Sequence, residues 1–104
     1  MGDYLGEFEQ LLMLAVVRLG DDAHGLTIRD TLRERAGRTV SYGSIYSTVR
    51  RLEDKGLLRS TLGAPEPVRG GRARKQLELT PRGRTALRDA QRAFGRMAEG
   101  LKSI

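Results

Sequence analysis

The sequence predicts a mainly α-helical fold with one small β-hairpin, on three observations. Apolar residues recur at three- and four-residue steps in four separate stretches, the period of a helix with one buried face. Between the third and fourth stretches lie two short apolar/polar alternating runs, divided by a segment rich in glycine, proline and arginine. The basic charge gathers in that same middle part of the chain.

The first helix is expected over Leu5 to Leu19. Phe8, Leu11, Leu12, Ala15 and Leu19 supply the periodic face, while Leu14, Val16 and Val17 make the other sides apolar too. A helix apolar nearly all round is covered on more than one side, and in a small domain a second subunit is one source of that cover. Gly20-Asp21-Asp22 ends it. The second helix spans about Gly25 to Ala36, with Ile28, Leu32 and Ala36 facing inward and Arg29, Arg33 and Arg35 outward. Thr27 and Asp30 are spaced like a capping box, which allows a slightly later start. Gly37 is a natural left-handed terminator, and Arg38-Thr39-Val40 forms a link as short as a helix-turn-helix turn, with Val40 tucked into the core.

Ser41 then caps a third helix that closes at Gly56, held by Ile45, Val49 and Leu52 and ending in a solvated Glu53-Asp54-Lys55. Leu58 to Leu62 and Lys75 to Leu79 are short strands. The two prolines and three glycines between them exclude regular structure over residues 63–74. A helix followed at once by a basic hairpin is the layout of a winged helix-turn-helix. Thr80-Pro81 begins the last helix with a cap and a proline at its first position. Leu87, Ala90, Phe94, Met97, Leu101 and Ile104 then follow at steps of three and four, a narrow seam that wants another helix, either a second subunit's or its own first helix. The expected organisation is therefore a winged helix-turn-helix over residues 1–80 and a C-terminal dimerisation helix over residues 81–104.

A length of 104 residues bounds the chain to one modest core, and 38% hydrophobic with 31% charged residues is ordinary for a soluble globular protein. The absence of cysteine removes disulfides, thiol catalysis and thiolate metal sites, and fits a cytoplasmic protein. The longest apolar run, Leu11 to Val17, is too short to span a bilayer and follows acidic rather than basic residues, so neither a membrane span nor a secretory signal is expected. The net charge of +6 is uneven: residues 1–28 carry −4, residues 29–88 carry +9 from 15 basic and six acidic side chains, and residues 89–104 carry +1. A basic middle points to a polyanion, against the plainer reading of a basic soluble surface. His24 is the one histidine, placed in a polar turn and read as a surface or capping residue. With no thiol, ligand cluster, phosphate-binding glycine pattern or paired carboxylates, no metal, no cofactor and no enzyme activity are expected.

Double-stranded DNA is the polyanion this layout suits, because a helix can enter the major groove with its N-terminal turns at the base edges. Tyr42, Ser44, Ser47 and Arg50 lie on the free side of those turns, and Tyr46 borders it, either free or partly buried. Arg50 is chosen for direct reading, since arginine makes bidentate contact with guanine; Arg51 equally suits phosphate. In the hairpin, Arg69, Arg72, Arg74 and Lys75 would hold the backbone or enter the minor groove. The alternative is a winged-helix protein-interaction module without specific DNA binding.

At these residues the chain resembles the PadR family of transcriptional regulators, in its short form with a single C-terminal helix. The resemblance rests on Glu7-Phe8-Glu9-Gln10-Leu11-Leu12-Met13-Leu14-Ala15, His24-Gly25-Leu26, and above all Val40-Ser41-Tyr42-Gly43-Ser44-Ile45-Tyr46. Leu52 to Leu58, Gly71 to Lys75 and Leu79-Thr80-Pro81-Arg82-Gly83 complete it, in consistent order over about residues 5 to 90. It implies a homodimeric repressor built on a winged helix-turn-helix, paired through its last helix and often its first; two recognition helices related by a twofold axis would then meet an inverted-repeat operator. That pairing places Phe8, Leu12, Leu87, Ala90, Phe94, Met97 and Leu101 at the dimer interface. It also implies that some members release DNA when a small aromatic ligand binds at that interface. Two features depart from the family: Gln76-Leu77-Glu78-Leu79 stands where aromatic residues are common, and without tryptophan an aromatic pocket would need Phe8 or Phe94.

Overall fold

The computed structural model describes residues 4–65 and 73–103. Its elements are α1 (Glu7–Leu19), a single 3-10 turn (Gly20–Asp22), α2 (Gly25–Ala36), α3 (Tyr42–Asp54), β1 (Leu58–Pro65), β2 (Ala73–Leu79) and α4 (Pro81–Ala98). The architecture is mainly helical with one antiparallel hairpin, as the periodicity predicts.

The helices start and stop where local chemistry dictates. The Ser41 hydroxyl accepts from the Ser44 N–H at 3.0 Å and so satisfies one free donor of the first turn of α3. At α2 the cap is His24, whose N–H donates to the Thr27 hydroxyl at 3.1 Å; Thr27 thus closes the first turn rather than opening the helix. His24 is buried, not at the surface, with its Nε2 3.3 Å from an Asp22 carboxylate oxygen. Gly37 ends α2 in the left-handed conformation at φ 67°. α1 begins two residues later than its apolar pattern, because Leu5 is buried ahead of the helix.

Each helix sends its apolar stripe to one core. Leu12 and Met13 of α1, Ile28 and Leu32 of α2, and Ile45, Val49 and Leu52 of α3 are fully or almost fully buried together with Leu57, Leu77 and Leu87. At about 25 cal/mol per Å² of apolar surface removed from water, each large side chain adds roughly 1.5–3 kcal/mol. Thr48 is also buried, with its hydroxyl accepting from an Arg51 guanidinium nitrogen at 3.3 Å.

The hairpin is longer than its alternating runs. Leu58 pairs with Leu79, Ser60 with Leu77 and Leu62 with Lys75, and after an irregularity pairing resumes at Pro65 with Ala73. The proline is tolerated because it sits at this irregularity, beyond the regular ladder. The Leu77 N–H donates to the Ala23 carbonyl at 2.8 Å, which ties the hairpin to the turn before α2.

α4 is docked at its first turn. The Thr80 N–H donates to the Leu57 carbonyl at 3.1 Å, and its hydroxyl donates to the Gly56 carbonyl at 2.7 Å while accepting from the Gly83 N–H at 3.0 Å. Gly83 lies so close that a Cβ there would stand 1.9 Å from the Leu57 carbonyl oxygen. The helix ends at Ala98, and Gly100 follows at φ 85°, so Leu101 is not helical and the seam stops after Met97. Ile104 lies outside the described residues.

Two glycines of the same helix should therefore behave oppositely. Gly83→Ala forces backbone apart and is expected to destabilise the chain by about 3 kcal/mol in urea unfolding. Gly95→Ala meets nothing within 4 Å and should stabilise it by about 0.5–1 kcal/mol.

Candidate nucleic-acid interface

The buried residues of α3 are Ile45, Thr48, Val49 and Leu52. Its opposite line, at helical spacing, is Gly43, Ser47 and Arg50, continued by Asp54 in the last turn. All four are exposed, and Arg50 has no hydrogen bond or ion pair among the described residues. Ser44 and Arg51 flank this line on one side and Tyr46 on the other. Asp54 would repel a polyanion, which confines a nucleic-acid contact to the first three turns.

The neighbouring side chains are engaged to different degrees. Tyr42 lies under the Arg29 guanidinium, 4.9 Å from its ring centroid, a contact worth about 0.5–1 kcal/mol at an exposed site. Tyr46 is turned to the start of α2: a Cβ on Gly25 would come within 2.3 Å of its hydroxyl, so glycine leaves room for the ring. Ser44 and Ser41 share a hydroxyl–hydroxyl contact of 3.1 Å. Arg51 bends back, with its Nε 3.6 Å from a Glu9 carboxylate oxygen on α1. Lys75 is exposed on β2, whereas Arg69, Arg72 and the side chain of Arg74 lie outside the described residues.

A second surface lies on the far side of α1. Phe94 (68% exposed) and Met97 (81%) project from α4, with Tyr4, Leu14 and Val17 also exposed. Between α1 and α4 runs an apolar groove of about 610 Å³, walled by Leu11, Leu14, Ala90 and Phe94 with Tyr4 at its end. The Gln91 amide donates to the Gln10 side-chain oxygen at 2.9 Å across it. The seam of α4 is therefore divided. Leu87 is in the chain's own core and Ala90 is half-buried against it, as is Phe8 on α1. Leu12 is enclosed by its own chain (0% exposed) and cannot touch a second one, a correction to its placement at an interface.

Residues 13–89 match the transcriptional regulator PadR-like family. The chain belongs to this family. It is 40% identical over 78 residues to the transcriptional regulator Rv3488 of Mycobacterium tuberculosis, a match covering 75% of this chain and 68% of that one. Its fold is shared by a PadR-like transcriptional regulator from Bacillus cereus, with a TM-score of 0.72, 23% identity, and 88% of this chain and 84% of that chain covered. It is shared also by Bacillus subtilis PadR, solved in complex with operator DNA, with a TM-score of 0.64 and 18% identity over 82% of this chain and 46% of that one. The family is one of transcriptional regulators, not enzymes. Among the described residues no helix is long and apolar enough to cross a membrane.

In this PadR-like regulator α1 and α3 are joined by a carboxylate that composition and charge counting overlook. Glu9 is buried, and it accepts from the Gly6 N–H at 2.9 Å and from Lys55 Nζ at 3.0 and 3.3 Å. Lys55 donates also to the Tyr4 carbonyl at 3.1 Å, so it is not the solvated end its sequence context suggests. Glu53 likewise accepts from the Ser60 hydroxyl at 2.7 Å. Burial pushes the Glu9 carboxyl up, but the Gly6 N–H, the hydrogen bond and charge of Lys55 and the charge of Arg51 together hold it below its ordinary value of 4.5. The signal was present in the helical spacing: Glu9 lies three and four residues before Leu12 and Met13, on the buried side of α1.

A carboxyl depressed in the folded state stabilises it above its unfolded value and loses that contribution as pH falls through its folded value. Glu9→Gln should lower stability by about 2 kcal/mol at pH 7. The gap to the wild type should close as the pH is taken below 4.5, as read from urea midpoints at the two ends.

Proposed function

We propose that the chain is a sequence-specific DNA-binding regulator that works in the cytoplasm as a homodimeric repressor, reading an inverted-repeat operator with α3. One observation carries the reading: the outer line of α3 presents Gly43, Ser47 and Arg50 to solvent, and the arginine has no partner among the described residues. Gly43 adds no side chain at the outermost point of the first turn, which suits close approach to a groove wall. The operator-bound Bacillus subtilis relative of the same fold supports this use of it. Ser44 and Ser47 would meet phosphate or base edges, and Tyr42 and Tyr46 would brace α3 against α2 beside them. Lys75 and the hairpin arginines Arg69, Arg72 and Arg74 supply charge for the backbone.

Residues 81–104 serve in this reading as the dimerisation helix of a winged helix-turn-helix built from residues 1–80. Phe94 and Met97 are the contacts it offers, helped by Ala90, Phe8 and the exposed Leu14 and Val17; a second copy would cover apolar surface that this chain leaves in water. The groove beside Phe94 is the place where a small aromatic inducer would bind and release the DNA.

Two measurements test it. Arg50→Ala should weaken binding to a preferred site by about five- to a hundredfold, the value of one bidentate base contact, while affinity for mixed-sequence duplex falls less. Retention indifferent to both sequence and salt would instead identify a protein-interaction module. In sedimentation velocity the wild type should be a dimer at micromolar concentration. Phe94→Asp should give a folded monomer, because the side chain is exposed in the single chain and would meet apolar surface only in a pair.

A further inference from the structure

The contacts of Glu9 have a consequence for the charge that α3 can bring to DNA. Arg51 lies on the same flank of α3 as Ser44, two turns further along, and its side chain is 57% exposed. At that exposure its guanidinium is open to solvent. What holds it is the Glu9 carboxylate 3.6 Å from Nε, aided by the Thr48 hydroxyl at 3.3 Å from the guanidinium terminus. The Glu9 side chain is only 8% exposed and is fixed by the Gly6 N–H and Lys55, so it cannot follow Arg51 outward. Turning the Arg51 guanidinium out to a phosphate would break its contacts with Glu9 and Thr48.

We propose that Glu9 is a specificity-determining positioning residue, which holds Arg51 against α1 and leaves Arg50 as the one arginine of α3 free to meet DNA. The proposal rests on the DNA-binding reading and deepens it. A phosphate contact by arginine is blind to sequence, and each one steepens the dependence of log K on log salt by about 0.9. Sequestering Arg51 therefore removes affinity that all sequences would share and leaves the part that discriminates. Lys55 does not substitute for Arg51, because it caps the far end of α3 beyond Asp54 and is held by the Tyr4 carbonyl as well as by Glu9.

The test is a salt titration of the full chain on a mixed-sequence duplex, followed by fluorescence anisotropy, with Glu9→Gln, Arg51→Gln and the double variant. Glu9→Gln is expected to steepen the salt slope by about 0.9 and to tighten binding severalfold, and Arg51→Gln in the wild-type background to leave the slope unchanged. The double variant is expected to return to the wild-type slope, which a merely structural ion pair would not produce. An unchanged slope in Glu9→Gln overturns the proposal, as does a slope about 0.9 shallower in Arg51→Gln, which would show Arg51 already on a phosphate. If circular dichroism shows Glu9→Gln unfolded, the Arg51→Gln slope alone decides between these results. A wild type with no salt-dependent binding sinks the DNA-binding reading itself, a result distinct from either.

Discussion

The carbonyl of Leu57 is the point on which the arrangement of α3, the hairpin and α4 depends. It accepts the Thr80 N–H at 3.1 Å, and the bare Cα of Gly83 packs against it, while the preceding Gly56 carbonyl takes the Thr80 hydroxyl at 2.7 Å. The start of α4 is thereby locked to the end of α3 and the start of β1, which precede it by some 25 residues. Gly56 itself turns the chain out of α3 at φ 76°, so the end of α3, the start of β1 and the start of α4 share one rigid corner. The direction in which α4 leaves the domain follows from that corner, and with it the direction of Phe94 and Met97.

Two surfaces of different chemistry result. The first three turns of the outer line of α3 are small and polar with Arg50 as their one cation, while Arg29 is drawn over Tyr42 and Arg51 toward Glu9. The α1–α4 side is apolar and leaves Leu14, Phe94 and Met97 exposed. Arg38 pairs with Glu7 at the acidic start of α1, and the basic excess lies in the hairpin and α4, since Arg50 and Arg51 of α3 are balanced by Glu53 and Asp54. In the proposed dimer the apolar side sets the distance between two copies of α3, and the polar side reads what lies there.

Much of the fold was legible in sequence because short-range rules govern it. Ser41, Gly37, Gly56 and Thr80-Pro81 mark their helix ends through caps and left-handed turns, and the stripe of Ile45, Val49 and Leu52 follows from period alone. What was not legible depends on long-range contact. The pairing of Leu77 with Ala23, the burial of His24 and the fit of Gly83 on Leu57 need the tertiary fold before they exist. The same holds for the α4 seam: a three- and four-residue repeat shows a stripe but not its partner, so Leu87 and Phe94 look alike in sequence and end in different environments. Lys55 and Arg51 read as free surface charge because Glu9, their common anion, lies more than 40 residues away in the chain. Pro65 excludes regular structure by local rules alone, yet the strand accommodates it at an irregularity of the ladder.

The central claim is that two copies of α3, held apart by α4, read DNA together. Selection of bound duplexes from a random pool tests it most directly, since one result reports both sequence preference and symmetry. The account predicts an inverted repeat whose half-sites lie about one helical turn apart, roughly 10 base pairs centre to centre. A pool that shows no enrichment, or a single asymmetric half-site, would contradict it.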